Sequence, residues 1–148
     1  DVRGPALPFF HNIFPASITG IPGHPVQDVV LENIEVIYPG RGNRALAYSP
    51  LERLAEVPEA IADYPEFSMF GELPAWGLYV RHVENLALRN IKFTAKQADY
   101  RPAMVFDDVR ELELSEIHVK GSGTKNQTVF KAVKEDRCPK ELSVQRLD

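Results

Sequence analysis

Residues 83–93 read VENLALRNIKF, and the stretch 109–119, 26 residues further on, reads VRELELSEIHV. Val83, Leu86, Leu88, Ile91 and Phe93 align with Val109, Leu112, Leu114, Ile117 and Val119, so the apolar spacing is copied while the polar residues between change. An earlier copy stands at 26–36, VQDVVLENIEV, with Val26, Val29, Leu31, Ile34 and Val36 in the same places. A weaker copy near the C-terminus keeps Leu142, Val144 and Leu147. A block repeated at such a period is a supersecondary unit that buries its apolar face only against a stacked neighbour. The pattern predicts a solenoid.

Inside each block the apolar residues alternate, as in Leu86, Leu88 and then Ile91, Phe93, which is the period of extended chain with one face turned inward. The 3.6-residue stripe of an α-helix is not kept for more than a turn. Each copy is therefore read as one coil of a parallel β-helix, opened by a further extended piece at 17–19, 78–80, 104–106 and 128–130. About four coils are expected. Asn33 and Asn90 occupy equivalent corners, with Glu116 in the third copy. Asn tolerates the left-handed backbone of a tight corner, and stacked amides hydrogen-bond from coil to coil. Asn12 and Ile13 match the end of a still earlier coil, so residues 1–148 are expected to form a single β-helix segment from the C-terminal part of a longer domain.

Between the first two full copies the offset widens to 57 residues, which predicts an excursion from the coils over roughly 39–75. It opens with turn residues at 39–43. Ser49 and Pro50 before Leu51 resemble an N-cap and first-turn proline, predicting a short helix there, with a second at 58–64. Rigid scaffolds commonly carry functional groups on such loops. Aromatic rings beside a groove offer flat faces to sugars, while Arg and carboxylate groups hydrogen-bond hydroxyls. The candidate substrate-binding residues are therefore Arg41, Arg44, Tyr48, Glu66 and Trp76, with Tyr79 and Arg81 on the following strand and His24 in the Gly/Pro-rich turn at 20–25. The aromatics have the alternative role of packing the excursion onto the coils.

The net charge of −4 supplies no basic field for phosphates, so nucleic acid is not an expected partner. No stretch reaches the ~20 consecutive apolar residues of a membrane-spanning helix, and no membrane partner is expected. Residues 1–10 do not read as a signal peptide. Cys138 is the single cysteine, and His11, His24, His82 and His118 lack metal-ligand spacing, so neither a metal nor a cofactor is expected. Asp107 and Asp108 are adjacent carboxylates, but neighbours on extended chain point to opposite faces, and they read as a corner pair bonding turn amides.

Three stretches, 15–34 (PASITGIPGHPVQDVVLENI), 69–83 (MFGELPAWGLYVRHV) and 101–109 (RPAMVFDDV), together resemble the C-terminal coils of glycoside hydrolase family 28, the polygalacturonase-like family. The resemblance implies a right-handed parallel β-helix, inverting hydrolysis of a pectin-type or related plant polysaccharide, and a periplasmic or extracellular location. The family's catalytic signatures, Asn-Thr-Asp, Gly-Asp-Asp, Gly-His-Gly and Arg-Ile-Lys, are absent here. The resemblance thus assigns this chain no catalytic residue and places the catalytic aspartates in coils upstream, which become its expected partner alongside a polysaccharide or oligosaccharide substrate. The competing expectation is a non-catalytic β-helix module for glycan binding or assembly.

Overall fold

The computed structural model describes residues 14–40, 51–63 and 69–148. It is mostly β, built on one parallel six-stranded sheet, with a single 3-10 helix among the described residues. The strands are β1 (Ala16–Thr19), β2 (Val26–Tyr38), β3 (Leu78–Asp99), β4 (Met104–Ser122), β5 (Thr128–Arg137) and β6 (Val144–Leu147). They are ordered β1-β3-β4-β5-β6, with β2 also paired to β3. The sequence offsets are the cross-strand register: Val26, Val83 and Val109 pair in succession, as do Leu31, Leu88 and Leu114.

A straight strand as long as β3, 22 residues, would run about 70 Å. It is instead bent at His82, Asn85 and Asn90, whose φ angles of 50°, 58° and 50° are left-handed. The bends recur in β4 at Asp108, Glu111 and Glu116, and two recur in β2 at Asp28 and Asn33. The corner role expected of Asn33, Asn90 and Glu116 is thus present in the backbone, and Asn90 Nδ2 donates to Asn33 Oδ1 at 2.7 Å. Asn85 Nδ2 likewise donates to Asp28 Oδ1 at 2.6 Å. Where β3 bends at His82, the β1–β2 connection inserts the turn at 20–25, closed by the Ile21–His24 bridge. A Cβ on Gly20 would stand 2.4 Å from the His82 carbonyl oxygen, which is why this turn starts on glycine.

Because the bends align, apolar residues of successive strands lie over one another. Leu86, Leu88, Leu112 and Leu114 are wholly buried, and Phe106 meets Phe130 edge to face at 5.4 Å. Their counterparts Val29 and Leu31 in β2 are only partly buried, since β3 is the one strand paired with β2 among the described residues. At the other end the register slips at Leu112, which pairs with Glu135. The C-terminal segment departs from the expected fourth copy of the block: β6 pairs with the opening run of β5, Thr128 with Val144 and Lys131 with Leu147.

The excursion carries the 3-10 helix Leu51–Glu56, interrupted at Arg53. Ser49 and Pro50, its expected cap, lie outside the described residues, as does Asn12. The second helix, expected at 58–64, is not found over 58–63: Ala60 is left-handed at φ 49° and the chain closes a turn, Asp63 N–H to Ala60 carbonyl, 3.1 Å. A left-handed residue cannot propagate a right-handed helix.

Leu88→Ala or Leu114→Ala is expected to cost about 2–5 kcal/mol in chemical denaturation, against under about 0.5 for the exposed Val30→Ala. The phenols give a second measurement. Burial pushes Tyr38 from 10.0 up to about 12, and burial also raises Tyr79 and Tyr100, the latter helped by Glu72. The folded state thus holds protons that the unfolded chain releases near pH 10, so this stabilisation is complete below pH 10 and lost as pH climbs towards the folded values. In a tyrosinate absorbance titration, three of the five tyrosines are expected to ionise only as the fold is lost.

Candidate functional site

Residue alternation along the opening runs sends Leu78 and Val80 into the main core and Tyr79 to the opposite face, with Val105 and Val129 beside it in register. The excursion lands on this outer face. Leu54, Val57, Leu73 and Ala75 cover Tyr79, Val105 and Val129 to form a second, smaller core.

Arg81 fastens that layer. Its guanidinium is almost wholly buried; Nε donates to Asp107 Oδ2 at 2.9 Å, Nη1 to the Val57 carbonyl at 2.8 Å and Nη2 to the Leu54 carbonyl at 3.2 Å. It thereby caps the end of the 3-10 helix and neutralises Asp107, with Glu59 3.3 Å away. Next to it, His82 Nδ1 lies 2.7 Å from Asp108 Oδ2, and its Nε2 lies 3.2 Å from Glu59 Oε2. The returning limb is held by a second buried pair, in which Arg101 makes a two-pronged contact with Asp99 and donates to the Leu73 carbonyl at 3.3 Å.

A groove of about 300 Å³ opens between this cluster and the 20–25 turn, lined by Gly23, Pro25, Gln27, His82, Asp108 and Arg110. Gln27 Nε2 donates to Glu84 Oε2 at 2.9 Å. The side chain of Arg110 makes no hydrogen bond or ion pair among the described residues. A guanidinium, a carboxylate and an imidazole around one shallow opening are suited to hydrogen-bonding a polyhydroxylated ligand.

The structure revises several site expectations. Trp76, expected to offer a sugar-binding face, is wholly buried, with Tyr38 at 6.2 Å and Phe93 at 6.3 Å between ring centroids. Tyr79 is wholly buried under the excursion. Arg81 spends its guanidinium on internal partners, because a buried cation requires them. His24 is exposed at the turn beside the groove without lining it. Arg41, Arg44, Tyr48 and Glu66 lie outside the described residues. Asp108 sits at a left-handed corner, φ 54°, but the partners of the two carboxylates are side chains where turn amides were expected: Arg81 for Asp107 and His82 for Asp108. Sequence reasoning missed His82, Glu59, Gln27 and Arg110 as neighbours. A signal was present, since the 26-residue offset sets Arg81-His82 over Asp107-Asp108, a basic pair over an acidic one. Among the described residues no group of three or more His, Cys, Asp or Glu side chains is arranged to hold a metal ion.

No protein-family model matches the chain, and neither a curated protein nor a solved structure matches it.

Arg81→Met leaves Asp107 buried without its cation and is expected to destabilise the fold by about 3–5 kcal/mol. Adding Asp107→Asn removes the stranded charge. Denaturant titrations of the double variant should give a loss smaller than the sum of the two single losses; simple additivity would mean that Arg81 and Asp107 do not act as a pair.

Proposed function

We propose that the bent parallel strands are successive coils of a right-handed parallel β-helix. We further propose that the protein is the C-terminal portion of a carbohydrate-active enzyme of that architecture, a glycoside hydrolase acting by inversion on pectin-type or related plant polysaccharide. The observation that carries this reading is the stacking of left-handed corners: Asp28, Asn85 and Glu111 in one column, Asn33, Asn90 and Glu116 in the next, each between parallel-paired runs. It supports a scaffold able to add further coils, and the partial exposure of Val26, Val29 and Leu31 supports an upstream coil as the partner of β2. The catalytic aspartates belong to those upstream coils in this reading. The polar groove beside the 20–25 turn contributes glycan contacts, and a periplasmic or extracellular location accompanies the assignment.

The second reading is a non-catalytic glycan-binding or assembly module, in which the described residues need supply no catalytic group. The adjacent carboxylates Asp107 and Asp108 are both engaged by basic side chains, which suits structure better than proton transfer.

The two readings separate in one experiment. Affinity electrophoresis of this chain against pectic and other plant polysaccharides is expected to show retardation, with no reducing ends released. The full-length gene product is expected to release them, with inverted anomeric configuration by NMR. Binding without turnover by the full-length product would establish the module instead, and neither binding nor turnover would end the carbohydrate reading.

A further inference from the structure

A larger cleft, about 530 Å³, lies on the other side of the excursion, between the 3-10 helix and β6. Its apolar lining comes from Leu51, Leu54 and Leu147, and Lys125, Lys131 and Gln145 bring polar atoms to the same space. The volume falls within the roughly 300–1,000 Å³ of small-molecule sites.

The polar side is unbalanced. Arg81, Asp107 and Lys131 follow one another in cross-strand register, but Asp107 binds Arg81, and Lys131, half-buried, forms no ion pair among the described residues. Lys125 forms none either. Asn126 orients the third donor: its Nδ2 donates to Gln145 Oε1 at 3.2 Å, while Ser143 Oγ donates to Asn126 Oδ1 at 3.3 Å. With its oxygen engaged, the Gln145 side chain keeps both N–H groups of Nε2 for another acceptor, and none is bonded among the described residues. The carboxylates of Glu52 and Asp148 also line the cleft, yet neither stands within ion-pair distance of a lysine.

From these unmatched donors facing an apolar wall, we propose that the cleft binds a small ring-sized organic anion, its charge a carboxylate or a phosphate ester. The ammonium of Lys131 and the Gln145 amide hold the charged group, Lys125 closes over it from the rim, and Leu51, Leu54 and Leu147 receive the ring. This site is separate from the groove at the 20–25 turn and does not depend on the glycan reading. A chain with no affinity for polysaccharide would still carry it.

Calorimetric titration with glucuronate, glucose 6-phosphate and neutral glucose tests the proposal, since the three share a ring and differ in charge. One of the two anions is expected to bind and to weaken in high salt, with glucose undetectable, and whichever anion prevails identifies the charged group. Lys131→Met is expected to weaken that binding by about tenfold or more, and Lys131→Arg to retain most of it. Gln145→Glu is expected to abolish binding through repulsion, with an unchanged thermal midpoint showing that the fold is intact. Equal affinity for glucose, undisturbed binding by Lys131→Met, or failure of both anions to bind at millimolar concentration would each overturn the proposal.

Discussion

Left-handed corners that stack in register are the constraint on which the rest of this structure depends. An L-residue in that conformation costs roughly 1–2 kcal/mol, and β3 alone contains three. The cost is offset between strands: Asn85 bonds Asp28, Asn90 bonds Asn33, and His82 contacts Asp108. Each of the three β3 corners is thus tied to a corner of a neighbouring strand. With the corners aligned, the runs between them pair in parallel and place Leu31, Leu88 and Leu114 in one stack. A corner displaced by one residue would turn the following side chains to the other face and break that stack.

The outer face obeys a different rule. Once the excursion covers Tyr79, Val105 and Val129, charged residues under the docked layer are buried and need partners. Arg81 meets Asp107 and two helix-end carbonyls, and Arg101 meets Asp99. These pairs are structural clasps, and the polar side chains that line the groove and the cleft stand at the margins of the docked layer. Gln27 and Arg110 stand on one side, and Lys131 and Gln145 on the other.

Much of the sheet was legible because apolar spacing and corner residues are local properties. The copies at 26–36, 83–93 and 109–119 pair as aligned, and Asn33 and Asn90 bend where read. The C-terminal segment falls in a different column from the one its spacing suggests, because a few alternating apolar residues in β6 fit either the opening run or the block, and neighbouring register decides between them. The site was harder to read. Arg81, Trp76 and Tyr79 have the composition of a sugar-binding surface, and nothing in their own spacing shows that another segment covers them. The pairing of Arg81-His82 with Asp107-Asp108 was readable from the same offset that aligned the apolar block.

By itself, then, the sequence determined the alternation of Leu86 with Leu88 and of Leu112 with Leu114, the corners between runs and the extended parallel-sheet character, because each follows from side-chain period and backbone preference within a few residues. Only the tertiary structure decided that Tyr79 and Arg81 are interior and that Lys131 faces a cleft. Alternation divides a strand into two faces, but which part of an outward face meets water depends on where a segment distant in sequence comes to rest.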